Sequence, residues 1–99
     1  ERNPDMDCLV QSVQGGELFE EQWPAIFARR HVKSEVLDPQ QLALLWQGKI
    51  NDEFAEATVI GTTAIALKLI NRTFSQSQAH ELATEYWLNR NENIKEVAL

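Results

Sequence analysis

The rhythm of apolar and polar positions changes twice along these 99 residues. Residues 8–13 and 17–23 are two short runs that flank Gln14-Gly15-Gly16. Paired glycines between such runs predict a β-hairpin, because both central residues of a type I′ turn require positive φ. The alternation is imperfect, so the turn is better specified than the register. Pro24 cannot donate to a ladder and either ends the second strand or sets it at an edge. Two strands alone are marginal in water, so the hairpin must lie on another element.

From Leu37 the pattern turns helical. Asp38 reads as an N-cap, Pro39 as the first helical residue and Gln41 as the other half of a capping box, with Leu37 and Leu42 at the staple positions. This helix places Leu42, Leu45 and Trp46 on one stripe and stops at Gly48. Asn51 or Asp52 caps the next helix, with Asp52, Glu53 and Glu56 set against its dipole. Residues 57–70 are apolar or small on nearly every side, which predicts burial on several faces. Gly61 costs about 1 kcal/mol of helix propensity relative to Ala, so Gly61-Thr62-Thr63-Ala64 is expected to admit a neighbouring backbone. A turn at Asn71-Arg72-Thr73 leads to a helix opened by a second capping box, Ser75 with Gln78, and by Phe74 and Ala79 at the staple positions. Its predicted inner stripe is Ala79, Leu82, Ala83 and Tyr86, with Trp87 on the flank. Asn89-Arg90-Asn91 is expected to fray, and Ile94, Val97, Ala98 and Leu99 suggest a short terminal turn.

These elements predict one α+β segment covering residues 1–99, with a hairpin at about 8–23, a connector at 24–37 and a helical part of about three helices at 38–99. The length allows one domain at most. A net charge of −6 argues mildly against this segment gripping phosphate backbones by itself, although Arg29-Arg30-His31-Val32-Lys33 is a local basic patch. A single cysteine, Cys8, excludes an intrachain disulfide and is compatible with a cytoplasmic setting. The charged start without Met suggests a fragment rather than a native beginning, and no secretory leader is recognisable. The longest apolar stretch, residues 64–70, is interrupted by Lys68 and too short to span a bilayer, so no membrane partner is expected.

Candidate chemistry is sparse. His31 and His80 lie in different elements and, with Glu81 and Glu85 near the latter, lack a third metal ligand; surface histidines are the plainer reading. Cys8 has no base at catalytic spacing and reads as a buried strand cysteine. Asp52, Glu53 and Glu56 are accounted for by capping and the dipole, whereas Asp5 and Asp7 sit in a loop able to bind a cation weakly. Gly15-Gly16 lacks the helix and the Lys-Ser/Thr of a phosphate loop. Trp23, Trp46 and Trp87 are either a base-stacking platform or packing, and without interleaved Lys and Arg the packing reading is preferred. Catalytic, cofactor-binding and metal residues are therefore assigned to no position.

Three segments nevertheless resemble the C-terminal end of the anthranilate phosphoribosyltransferase-like family of glycosyltransferases. They are Leu45-Trp46-Gln47-Gly48-Lys49, Ile60-Gly61-Thr62-Thr63-Ala64-Ile65-Ala66-Leu67, and Asn71-Arg72 with the Ser75-capped helix. Val13-Gln14-Gly15-Gly16-Glu17-Leu18 is similar to the hairpin preceding these helices in that family. Gly61-Thr62-Thr63-Ala64 replaces the usual Asn-Ala-Ala, Asn91 stands where Gly is usual, and residues 25–37 depart from the family pattern, which points to a divergent branch. The resemblance implies a C-terminal portion of an α/β domain whose parent transfers a phosphoribosyl group from phosphoribosyl pyrophosphate with Mg²⁺. The family's Gly-Thr-Gly-Gly-Asp loop, Lys-His-Gly-Asn-Arg segment and Asp-Glu pair lie upstream and do not occur here, so no cofactor is assigned to this segment and it is expected to be catalytically inactive alone. Its implied partners are the remainder of the parent domain and, through exposed apolar surface, further copies of itself. For the divergent branch the resemblance also implies nucleic-acid binding by the parent. The alternative from a different class is a non-enzymatic α+β interaction module.

Overall fold

The computed structural model describes residues 1–28 and 39–90. It is an α+β fold in which a two-stranded antiparallel hairpin, β1 (Cys8–Gln14) and β2 (Glu17–Trp23), is followed by α1 (Pro39–Trp46), α2 (Glu53–Ile70) and α3 (Gln76–Leu88). The predicted cap at Asp38, the basic run Arg29–Lys33 and the terminal turn from Ile94 lie outside the described residues.

The turn chemistry is as expected. Gly15 and Gly16 take φ of 59° and 83°, both positive as a type I′ turn demands. Their flanking pair is Gln14 with Glu17, and the register runs back to Cys8 opposite Trp23. Cys8, Val10, Ser12, Phe19, Glu21 and Trp23 therefore share the face turned to the helices, and Leu9, Val13 and Leu18 are left on the outer face. β2 stops at Trp23, immediately before Pro24.

Helix ends follow the capping rules closely. Gly48 at φ 79° closes α1, with its N–H donating to the Leu45 carbonyl and the Lys49 N–H to that of Leu44, the bonding of a Schellman motif. Asp52, rather than Asn51, caps α2 by accepting the Ala55 N–H. The α2–α3 turn is tied by Asn71, whose side-chain oxygen accepts from both the N–H and the hydroxyl of Thr73. Ser75 and Gln78 form the reciprocal capping box at the head of α3.

Packing departs from the sequence expectation in three ways. α2 is not buried on several faces: Ala57, Thr58, Gly61 and Ala64 make one buried stripe, whereas Val59, Leu69 and Ile70 are exposed, Ile70 by 83%. Within this stripe Ala64 packs with the equally small Ala79 and Ala83 of α3 and with Trp23. On α3 the inner stripe is Ala79, Ala83 and Trp87, a strict fourfold spacing, so Tyr86 rotates outward and Trp87 inward. On α1 only Leu45 is buried; Leu42 and Trp46 of the predicted stripe remain exposed.

Trp23 is the large group of this core, 3% exposed among Ala64, Ala79 and Ala83, with Cys8, Val10, Ile60, Ile65, Leu67 and Phe74 packed around it. The N-terminal segment straps over the same place. Pro4 is fully buried, and its carbonyl accepts the N–H groups of Ile26 and Phe27 at 2.8 and 3.1 Å. Arg2 is buried too, its guanidinium 5.2 Å from the Trp23 ring centroid and donating to the Pro24 carbonyl at 2.6 Å.

Gly61 has a packing reason, but not the expected one. What approaches it is side chain rather than backbone: a Cβ there would lie 2.9 Å from Arg2 Cδ and 3.2 Å from Ile26 Cδ1. Arg2 cannot swing away without surrendering its bond to Pro24. Ala at this position gains about 1 kcal/mol of helix propensity and meets an overpacking cost of about 1–3 kcal/mol. Gly61→Ala is therefore expected to lower the thermal midpoint followed by circular dichroism, and Gly61→Ala placed on an Arg2→Ala background to raise it. Equal shifts in both backgrounds would refute the Arg2 contact.

Candidate functional site

Where α2 passes beneath β2, the hairpin and helix enclose a groove of about 210 Å³ lined by Val10, Ser12, Phe19, Glu21, Lys68 and Arg72, among others. Alternation along β2 turns Phe19, Glu21 and Trp23 toward it, and the last turns of α2 deliver Lys68. Lys68 and Glu21 form an ion pair, and Gln76 Nε2 donates to Glu21 Oε1 at 2.7 Å and to the Gln22 carbonyl at 2.9 Å. Arg72, just past α2, lays its guanidinium 3.8 Å from the Phe19 ring centroid. Partial burial opposes ionisation of Glu21, but the hydrogen bonds from Lys68 and Gln76 and the charges of Lys68 and Arg72 outweigh it, holding the carboxyl below its ordinary range.

A second, open cleft of about 410 Å³ lies beside Pro24 and the first turns of α3, with Arg2, Ile26, Ser77, His80 and Glu81 on its walls. His80 is half-buried there, on the same wall as Glu81 of its own helix. Its companion in the sequence reading, His31, lies outside the described residues.

The remaining sequence candidates are dispersed rather than gathered. Asp7 holds the N-terminal strap, its two oxygens accepting from the Ala25 N–H at 2.8 Å and from Gln22 Nε2 at 3.4 Å. The Asp5 N–H donates to Asn3 Oδ1. Asp52 is an N-cap, and Glu56 accepts from Trp87 Nε1 at 3.1 Å. Cys8 is a free, half-buried strand residue. No group of three or more His, Cys, Asp or Glu among the described residues could hold a metal ion. Trp23 and Trp87 are buried and Trp46 meets Trp87 edge-on at 5.8 Å, so their rings are used in packing.

Arg90, expected to fray, is instead 8% exposed and among the most connected side chains of the fold. Nε donates to the Trp46 carbonyl and Nη2 to the Leu45 carbonyl, both at 2.8 Å, while Nη1 donates to the Trp87 carbonyl at 2.7 Å. Its guanidinium stacks 3.8 Å from the Trp87 centroid. One arginine thus takes up the carbonyl ends of both α1 and α3, where the helix dipoles favour a cation. The available signal was a basic residue just beyond the last turn of an amphipathic helix. Arg2 carried no sequence signal.

No protein-family model, curated protein or solved structure matches the chain. No helix among the described residues is long and apolar enough to cross a membrane.

Two consequences can be measured. Because folding lowers the Glu21 pKa, its contribution is complete above the ordinary glutamate value near pH 4.3 and is lost as pH falls through the lowered folded value. The stability advantage of wild type over Glu21→Gln in urea titrations should therefore shrink steadily on acidification below about pH 5; a gap that widens would contradict the pairing. Replacing Arg90 with Met leaves helix-end carbonyls without their donor and should cost about 2–3 kcal/mol, with loss of the near-ultraviolet dichroism of the Trp46–Trp87 pair. Arg90→Lys should recover little, since one ammonium cannot reproduce the planar fork. Wild-type stability in Arg90→Met would show that the clamp is dispensable.

Proposed function

We propose that this chain is the C-terminal structural portion of an anthranilate-phosphoribosyltransferase-like protein, catalytically silent alone and seated against the remainder of that protein's α/β domain. The observation that carries the reading is the uncovered apolar side of α2, where Val59, Leu69 and Ile70 lie in solvent beyond a helix whose opposite face is already filled. An exposed apolar helix face suits a layer completed by another part of a protein. The residues that carry the family resemblance occupy the α1 end, α2 and the head of α3, the elements that make this framework. On this reading phosphoribosyl pyrophosphate and Mg²⁺ are handled upstream, and no residue here is given a catalytic role. Lys68, Glu21, Arg2 and Arg90 are engaged in holding the fold, consistent with a supporting part.

The encoded sequence upstream of Glu1 tests the proposal directly. A Gly-Thr-Gly-Gly-Asp loop in the same reading frame is the expected finding. A start codon immediately before Glu1 would overturn it in favour of a self-contained interaction module.

A further inference from the structure

The two edges of the hairpin are not equivalent. β2 carries Glu17, Glu20 and Glu21 and runs into Pro24, the charges and proline with which sheet edges are guarded against pairing. β1 reads Cys8-Leu9-Val10-Gln11-Ser12-Val13-Gln14 and carries no charge and no proline. The helices also reach mainly to β2: Lys68 and Gln76 bind Glu21, Gln76 binds the Gln22 carbonyl, and Arg72 stacks on Phe19. β1 receives one such polar strap, from Gln14 to the Leu69 carbonyl near the turn.

The register fixes which backbone groups β1 presents. A two-residue turn makes Gln14 and Glu17 a hydrogen-bonded pair, and the pattern alternates from there. Ser12, Val10 and Cys8 thus bond to β2, and Leu9, Gln11 and Val13 direct their N–H and C=O groups to the open edge. No backbone bond outside the hairpin engages these three among the described residues, and all three side chains are exposed.

We propose that this edge binds a second copy of the chain, β1 against β1 in antiparallel register, to make a continuous four-stranded sheet. A twofold axis between the two Gln11 residues pairs Gln11 with the partner's Gln11 and Leu9 with the partner's Val13, each pair exchanging both of its backbone bonds. The edge is self-complementary in this register: its outward-bonding residues face one another, apolar side chains meet across the seam, and no like charges are opposed. Charge selects the edge as well. In a chain of net charge −6, pairing through β2 would bring together two sets of three glutamates, whereas the β1 seam is neutral. The edge stands independently of the family reading, and the 99-residue chain is the species to be tested.

Sedimentation from about 1 µM to about 1 mM should show the 11.3 kDa monomer giving way to a dimer. Added salt should strengthen this, because it screens the net repulsion without touching a neutral seam. Gln11→Lys places two ammonium groups opposite each other on the axis, and should remain monomeric at concentrations where wild type is dimeric, with unchanged circular dichroism. In a Cys8→Ser background, Gln11→Cys should form a disulfide-linked dimer under mild oxidation, since the hydrogen-bonded pair spacing of about 5.5 Å lies in the range a disulfide spans. Gln22→Cys, on β2 and equally exposed, is the matched control and should not. A chain monomeric throughout the range overturns the proposal. A dimer insensitive to Gln11→Lys, or one crosslinked equally well through Gln22→Cys, overturns it too, by placing the contact elsewhere.

Discussion

The structure depends on one large side chain set onto a seam of small ones. α2 and α3 meet through Ala64, Ala79 and Ala83, and such residues bring helices close while supplying little apolar area of their own. Trp23 supplies what the seam lacks. Burying an indole of that size contributes several times what an alanine does, and it sits at the last position of β2, where Pro24 forces the chain out of the sheet. The hairpin is thereby anchored at its open end, and its turn end is held by polar side chains over the groove. Arg2 and Lys68 lie 5.2 and 5.9 Å from the indole centroid, so the ring also organises the cations that tie the strap and α2 to the hairpin.

The same device recurs at the far end of the helix pair. There Trp87 is the buried indole, Arg90 the stacked cation, and Glu56 accepts from the indole N–H. Both buried guanidiniums donate to backbone carbonyls, Arg2 to Pro24 and Arg90 to the ends of two helices. Burial draws the Arg2 pKa down from its usual value, yet a guanidinium remains charged across the physiological range. A lysine could not replace Arg90, because it lacks the planar fork that donates to three carbonyls from beside an indole.

What could be read from the sequence was what short-range chemistry decides. Gly15-Gly16, Gly48, Asp52, Asn71 and the Ser75–Gln78 box all act through bonds spanning at most a few residues, and each is where its chemistry places it. Direction was harder. Whether Tyr86 or Trp87 faces inward turns on a helical rotation of about 100° per residue, and an alanine-rich stripe gives too weak an apolar signal to fix that rotation. Burial of α2 on several faces exceeds what the structure shows for a related reason: hydropathy reports which faces tolerate burial, and only the number of layers decides which receive it. Arg2 was illegible because its role exists only between segments, with residues about 22 and 60 positions away; for Arg90 the position past a helix end was legible, but its bonds to carbonyls about 45 positions away were not. The candidate site fared similarly, since the pairing of Lys68 with Glu21 spans 47 positions and leaves no local trace.

This division of labour bears on function. Among the described residues the groups with chemical potential are mostly drawn into joints: Asp7 at the strap, Glu21 and Lys68 across the groove, Glu56 and Arg90 at the tryptophan pair. Arg90 is buried in its joint, whereas Asp7 is exposed and Lys68 and Glu21 are partly exposed, so these three hold segments together at the surface. Among the described residues the outward side chains of β1, Leu9, Gln11 and Val13, and Val59, Leu69 and Ile70 of α2 are exposed, and the Gln14–Leu69 strap is a polar side-chain bond between the two elements. The uncharged edge of β1 and the apolar side of α2 thus stand apart from the charged joints, which is the arrangement that the proposed contacts with other protein require.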